Sequence, residues 1–117
     1  MMEPGGLPDD DRVRLEHMLE SVHWAVLHAG QSEEEFRSEP IRQHATVRML
    51  QVLGDAAKAV SNDVKLRLLS IPWRDMARMR DLLVHHYFAV DPGVVWRTIE
   101  RDLPTVRDAL VEALRSD

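Results

Sequence analysis

The chain has 117 residues, 44% of them hydrophobic, and a formal net charge of −5 at pH 7. That length suits one domain and is too short for two sizeable cores. The chain has no cysteine, which excludes disulfides, thiolate metal sites and cysteine nucleophiles. No secretory leader pattern and no apolar run of membrane-spanning length occurs, so we expect a soluble cytoplasmic protein without a cofactor.

The amino-terminal part predicts a short leader followed by a helix. Residues 1–8 are expected to be disordered, and residues 9–117 to form a single helical domain. Three consecutive aspartates favour a helix start, so a first helix is predicted from about Asp10 to His28, ending at Gly30. The residues predicted to form its buried stripe are Leu15, Met18, Leu19, Val22, Val26 and Ala29.

Three histidines of this first helix raise the question of a metal site. Their spacings of six and five residues do not place the imidazole rings on one face, so no metal site is expected. The three residues are His17, His23 and His28.

The next segment predicts a short helix and then the longest one. Ser32 and Glu35 form a capping-box pattern, which predicts a helix over Glu33 to Ser38. A longer helix is predicted from Glu39 to Val60. Gly54 inside it costs about 1 kcal/mol of helix propensity, which close packing against another helix could offset. The residues expected to face inward are Ile41, Ala45, Leu50, Leu53, Ala56, Ala57 and Val60.

Capping signals also divide the rest of the chain. A break at residues 61–63 is expected before a short helix from Val64 to Ser70. Asp91-Pro92 predicts the start of a helix to about Asp102, and Pro104 the start of a last helix to about Leu114. Two tryptophans, Trp73 and Trp96, are expected to be core aromatics, with stacking on a nucleic-acid base as the alternative.

Positive charge is concentrated in the middle of the chain. From Arg37 to Arg80 there are nine Lys and Arg against four Asp and Glu, a local net charge of +5, whereas the remainder carries −10. Cationic side chains supply much of the affinity of proteins for nucleic-acid phosphates, so this segment could present a basic surface to one. An ordinary solvated face explains the count equally well, since charges along a chain need not cluster in space.

Residues 71–88 carry the pattern that points most directly to function. Pro72 suits the first turn of a helix, and a helix is predicted from about Pro72 to His86. Apolar residues at three- and four-residue spacing predict its buried stripe. They are Met76, Met79, Leu83 and Val84.

Three polar side chains, Arg80, His85 and Tyr87, crowd the end of this helix. At about 100° per residue, Arg80 and Tyr87 lie nearly eclipsed two turns apart, whereas His85 lies roughly 140° around the axis from Arg80. Arg80 and Tyr87 can therefore line one wall together. His85 joins them only if the helix end distorts or if a second copy of the chain supplies the other half of the site.

The run Arg80-x4-His85-x-Tyr87 resembles the HepT-like branch of the HEPN superfamily. An Arg-x4-His pair alone occurs by chance in many proteins, but the flanking residues make this match more specific. They are Ile71-Pro-Trp before the run, and Phe88-x-Val90-Asp91 and Val95-Trp96 after it. The resemblance extends from Asp11 to Leu114 and implies an all-α, up-and-down bundle of four to five main helices that forms a homodimer. The family usually has Asn where this chain has Asp81, whose carboxylate could partly neutralise Arg80.

The resemblance implies an endoribonuclease toxin that cuts RNA and is paired with a minimal nucleotidyltransferase antitoxin. Metal-independent cleavage must remove the 2′-hydroxyl proton, stabilise a phosphorane-like transition state and protonate the departing 5′-oxygen. His85 suits proton transfer because imidazole groups change charge near neutral pH. Arg80 suits the transition-state charge because a guanidinium can bind two phosphate oxygens. With one such histidine per chain, a dimer could supply both acid and base.

Three neighbours of this pair also receive expected roles. Asp81 is expected to orient Arg80 or His85, and His86 is a weaker candidate for phosphate contact. In HepT-like proteins the tyrosine of the motif is modified with AMP by the antitoxin, which makes Tyr87 the inferred acceptor. The added nucleotide would place negative phosphate against Arg80 and block the entry of RNA.

Two other interpretations stay open. A HEPN module without nuclease activity, which binds a nucleotide or a partner, is favoured by Asp81 and by the acidic chain ends. The other is a purely structural bundle. In it, Arg80 pairs with Asp81 or stacks on Trp73, and His85 interacts with the helix dipole. Tyr87 is then a core ring with a solvated hydroxyl.

Overall fold

The computed structural model describes residues 6–115, which are helical and contain no strand. A 3₁₀ turn (Tyr87–Ala89) follows the fifth helix, and a π-helical turn (Thr98–Asp102) joins the last two. The helices are α1 (Asp9–Ala29), α2 (Glu33–Ser38), α3 (Pro40–Ala59), α4 (Asn62–Arg67), α5 (Trp73–His85), α6 (Pro92–Arg97) and α7 (Leu103–Arg115). Residues 1–5 of the expected leader lie outside the described residues, and Leu7 packs against the core.

The long helices pack as an up-and-down bundle, which confirms the predicted all-α architecture. α3 lies between α1 and α5, and α7 packs against α1. Contacts at both ends of α1 and α3 show that these helices run in opposite directions. Ser61, just after α3, donates its N–H and its hydroxyl to the carboxylate of Asp11, both over 2.8 Å. At the other end, Arg42 donates to the carbonyl of His28.

Buried side chains follow helical spacing, with three corrections to the predicted core. Val84 is 44% exposed, because it lies about 100° around α5 from the buried stripe. Val26 is 38% exposed, and Ala25 is buried instead, because it continues the three- and four-residue steps of the α1 stripe. Ile41 is 85% exposed. At about 100° per residue, Ile41 points to the opposite side of α3 from Leu50, which is buried.

The predicted caps of α1 and α2 are largely confirmed. Gly30 ends α1 with a φ of 89°, a backbone region that favours glycine. The Ser32 hydroxyl accepts a hydrogen bond from the N–H of Glu35. The Glu35 carboxylate takes the N–H of Gln31 rather than that of Ser32, so the reciprocal half of the capping box is shifted by one residue.

Two predicted helix boundaries shift in the structure. α4 begins at Asn62 rather than Val64, because Ser61 caps it immediately after α3 ends, and α4 ends at Arg67. The predicted last helix is confirmed as α7, which begins at Leu103, one residue before Pro104, although the backbone stays helical from α6 through the π turn into it. A π turn accommodates a proline that cannot donate to the carbonyl four residues earlier.

The aromatic residues follow the prediction for the core. Trp96 is buried beside Phe36, with ring centroids 6.0 Å apart. Trp73 is half-buried and donates its indole N–H to the carbonyl of Leu68 over 3.0 Å. In the part of the chain that the structure describes, no helix is both long and apolar enough to span a lipid bilayer.

Candidate functional site

Arg80 lies where α5 crosses closest to α3. Gly54 of α3 faces it, and the space that a Cβ at position 54 would need is already taken by the Cβ of Arg80. This agrees with the expectation that Gly54 allows another helix to approach closely. The close approach lets the Arg80 side chain reach across α3 with only 26% of its surface exposed.

The guanidinium of Arg80 is held by two carboxylates. Its Nε donates to Oδ1 of Asp55 on α3 over 2.6 Å, and one terminal nitrogen donates to Oδ1 of Asp81 over 3.0 Å. Lys58 donates to the same oxygen of Asp81 over 3.1 Å. A guanidinium has five N–H groups, so further donors are left for an anionic ligand. The four side chains form an exposed network of two cations and two anions.

This network shifts two pKa values in the direction that keeps each group charged. Hydrogen bonds from Lys58 and then from Arg80 lower the pKa of Asp81. Hydrogen bonds to Asp55 and then to Asp81 raise the pKa of Arg80. Asp81 was expected to orient either Arg80 or His85. Its contact with Arg80 favours Arg80.

His85 lies apart from Arg80, at the carboxyl end of α5. It is the last residue of the helix, and both His85 and His86 are exposed. Among residues 6–115, no hydrogen bond or ion pair joins His85 to Arg80. Gln51 of α3 supports this helix end by donating to the carbonyl of Leu83 over 3.3 Å. Within one chain, the structure therefore does not bring the two motif residues together.

Tyr87 leaves the helix and turns toward α3. The chain changes from α5 to the 3₁₀ turn at this residue, after His85, so the distortion moves Tyr87 off the helix and does not bring His85 to Arg80. The Tyr87 hydroxyl lies 3.2 Å from Nδ1 of His44 on α3, and the two ring centroids are 5.5 Å apart. Phe88 packs edge-on against Tyr87 and is 99% exposed.

Sequence reasoning missed two residues of α3 that bond to motif side chains, His44 to Tyr87 and Asp55 to Arg80. They are eleven residues apart, which places them on the same face of a helix three turns from each other. Their partners are Arg80 within α5 and Tyr87 just after its end, seven residues apart. The available signal was the spacing within each pair of residues. It could be used only once α3 and the end of α5 were known to pack together.

A groove between α1 and α3 adjoins this site. It encloses about 820 Å³, and Asp55, the partner of Arg80, forms part of its edge. Its floor includes the small side chains of Ala56 and Ala59. Trp24 lines one wall, is 39% exposed and stacks on His28 with ring centroids 5.9 Å apart.

One buried donor in this groove lacks a partner. In the described part of the chain, the Nε of Arg14 is buried without a hydrogen-bond partner. His17 and His28 also line the groove, whereas His23 lies in a different cavity beside α7. The groove is therefore lined by the cationic Arg14 from α1 and by Asp55 from α3.

Many cations of the predicted basic segment are already paired. Arg37 binds Glu33 and Asp91, and Arg42 binds Glu39. Lys65 lies 5.8 Å from the centre of the Trp73 ring. The interpretation of the chain as a purely structural bundle had allowed Arg80 to stack on that ring. Much of the positive charge of this segment is thus matched by local carboxylates.

Comparison with known proteins gives one family. The family model described as "Ribonuclease HepT-like" matches residues 15–113. The chain is 45% identical over 74 residues to a protein of Thermococcus cleftensis named "Probable ribonuclease HepT", covering 63% of this chain and 67% of that protein. It is 32% identical over 107 residues to a "Putative RNase" of Caldanaerobacter subterraneus, covering 91% and 96% of the two chains. No solved structure matches.

Proposed function

Because the chain belongs to the HepT-like ribonuclease family, we propose that it is a metal-independent endoribonuclease. In this proposal it acts as the toxin of a HEPN and nucleotidyltransferase toxin–antitoxin pair. The observation that carries the proposal is the guanidinium of Arg80. This group is held by Asp55 and Asp81, and Arg80 belongs to α5, the helix that ends at His85.

The proposed chemistry divides between the two motif residues. Arg80 binds the scissile phosphate with the N–H groups that Asp55 and Asp81 leave free, and stabilises the charge that develops in the transition state. His85 is exposed at the end of α5, where its imidazole can exchange a proton with RNA. His86 lies beside it and is proposed to contact a neighbouring phosphate.

A second copy of the chain completes the proposed site. One His85 cannot serve as base and acid at the same time, so two protomers bring two imidazoles to one cleft. We place the contact on the groove between α1 and α3, since it is lined by small residues of α3 and shares Asp55 with the Arg80 network. Trp24 on its wall supplies the large, partly exposed aromatic surface that suits a protein interface.

The dimer surface can be tested by the mass of the protein in solution. Ala56→Arg places a long charged side chain on the groove floor and should convert the dimer to a monomer. Leu69→Arg is the matched control, because Leu69 is 76% exposed and does not line the groove. Sedimentation equilibrium measures both. A dimer that survives Ala56→Arg would place the contact elsewhere.

Neutralisation is proposed to occur at Tyr87, by transfer of AMP from the nucleotidyltransferase partner. The half-buried ring keeps its hydroxyl near the surface, where it meets the exposed His44. A nucleotide attached there would add negative charge and bulk at the same end of the α3–α5 pair as His85. RNA would then be excluded from the cleft.

The alternative is a module of the same family that binds a nucleotide or a partner without cutting RNA. One observation favours it: Arg80 already contacts two carboxylates, which offset its charge. Purified dimer incubated with total RNA in a chelator distinguishes the two functions. RNA cleavage that His85→Ala and Arg80→Lys each reduce about 10²-fold or more supports the nuclease. A folded dimer that leaves all RNA intact supports the module.

Growth of cells tests the toxin part of the proposal. Expression of the wild-type chain without its partner should arrest growth and degrade RNA, whereas expression of His85→Ala should do neither. Asp108→Ala is the control, because Asp108 is exposed on α7 and lines neither the groove nor the Arg80 network. Healthy growth with intact RNA in wild-type cells would count against a toxin.

A further inference from the structure

The hydroxyl of Tyr87 has a titratable partner that its own helix does not provide. Nδ1 of His44, three turns before Asp55 on α3, lies 3.2 Å from the phenolic oxygen. No other tyrosine occurs in the chain. His44 is exposed and Tyr87 is half-buried, so the ring pair is open to solvent on one side.

We propose that His44 is the general base that activates Tyr87 for nucleotidyl transfer. This inference rests on the proposed modification of Tyr87 and names a second residue for that reaction. The substrate is a nucleoside triphosphate held by the partner enzyme. His44 is a catalytic residue in this step because its Nδ1 touches the attacking oxygen.

The transfer balances with this chain supplying the nucleophile and the base. The Tyr87 oxygen attacks the α-phosphorus and forms the new phosphodiester bond. The bond from that phosphorus to the bridging oxygen breaks, and its electron pair leaves with pyrophosphate. The phenolic proton passes to Nδ1 of His44 and then from the exposed ring to water.

A base is needed because a phenol keeps its proton at neutral pH, while an imidazole can accept one there. To accept at Nδ1, the neutral ring must carry its proton on Nε2. The other titratable or charged groups near this pair are Arg48, one turn further along α3, and His85 and His86, which precede Tyr87. Neither histidine has a hydrogen bond to the Tyr87 hydroxyl among the described residues, whereas His44 does.

The first test uses a small aryl sulfonyl fluoride in place of the partner and its nucleotide. The Tyr87 oxygen attacks sulfur, fluoride leaves, and the proton goes to the base. Mass analysis of the Tyr87 peptide measures the rate. His44→Gln should slow the modification at neutral pH about tenfold to a hundredfold. It should also remove the rise in rate near neutrality that an imidazole base produces.

The controls separate a base from a structural hydrogen bond. His44→Gln keeps a hydrogen-bonding side chain, and His23→Gln removes an exposed histidine elsewhere, so His23→Gln should react like the wild type. Added imidazole should restore part of the rate in His44→Ala but not change the wild type. If His44→Gln has the rate and pH profile of the wild type, the proposal for His44 is wrong.

The second test adds the partner enzyme and ATP. A mass increase of one AMP on the Tyr87 peptide, slowed by His44→Gln with the same change in pH profile, supports both the modification and the base. No mass increase on Tyr87 in the wild type would overturn the proposed modification. The sulfonyl fluoride rates would still decide whether His44 activates the hydroxyl.

Discussion

Gly54 of α3 and Arg80 of α5 meet where the two helices approach most closely. A Cβ at position 54 would collide with the Cβ and Cγ of Arg80 and lie 3.2 Å from the carbonyl oxygen of Met76. The atoms nearest to Gly54 thus belong to the base of the proposed phosphate-binding side chain. The site depends on a glycine that a helix interior otherwise disfavours.

We therefore expect Gly54→Ala to destabilise the protein. The methyl group adds up to about 1 kcal/mol of helix propensity, but overpacking against α5 costs about 1–3 kcal/mol. Urea unfolding should show a lower midpoint than the wild type. Ala45→Gly, a change of the opposite sense on the opposite side of the same helix, gives the propensity effect at a half-buried position for comparison. A midpoint above that of the wild type for Gly54→Ala would show that α5 can move away without cost.

Asp55 should act as a positioning residue for Arg80. Asp55→Asn removes the charged acceptor that lies 2.6 Å from the Arg80 Nε, so the guanidinium loses part of its orientation. RNA cleavage should fall about tenfold, less than for Arg80→Lys, because the cation itself remains. Asp63→Asn, an exposed change on α4, should leave cleavage unchanged. Cleavage by Asp55→Asn that equals or exceeds the wild-type rate would instead mean that Asp55 competes with the phosphate for Arg80.

Stability should depend on acid through Asp91, the amino-terminal cap of α6. The N–H of Gly93, and next the charge of Arg37, lower the pKa of Asp91 in the folded state. Because the folded-state pKa is lowered, the ionised Asp91 adds to the free energy of unfolding, and this contribution is complete above the unfolded-state pKa of about 3.9. The contribution is lost as the pH falls through the folded-state pKa.

Asp91→Asn tests this dependence because Asn can cap a helix but carries no charge. The difference in urea midpoint between the wild type and Asp91→Asn should be largest above about pH 4 and shrink as the pH is lowered. Asp108→Asn is the comparison at an exposed carboxylate on α7. A difference that stays constant from neutral to acid pH would exclude a charge effect at Asp91.

Asp11 should matter more for stability than its acidic neighbours. It is buried, and its carboxylate accepts both the N–H and the hydroxyl of Ser61. Asp11→Ala leaves the N–H of Ser61 without this acceptor, so a loss of about 1–3 kcal/mol of unfolding free energy is expected. Asp10→Ala, exposed in the same turn, should cost less than about 1 kcal/mol through the helix dipole. Equal losses for the two variants would contradict the role of the Ser61 contact.

Sequence alone determined the helical architecture and the residues that share α5. Caps such as Ser32 and Gly30 act within a few residues, and apolar spacing reports which side of a helix is buried, so both can be read locally. The same local geometry predicted that Arg80 and His85 point apart on their helix.

Tertiary packing alone decided which residues touch the motif. Asp55 and His44 lie 25 and 43 residues from their partners Arg80 and Tyr87, so no local pattern links them. They meet because α3 and α5 run in opposite directions and pack closely at Gly54. The π turn that joins α6 to α7 was likewise not predicted: Pro104 predicted the start of the last helix, but not the helical backbone that leads into it.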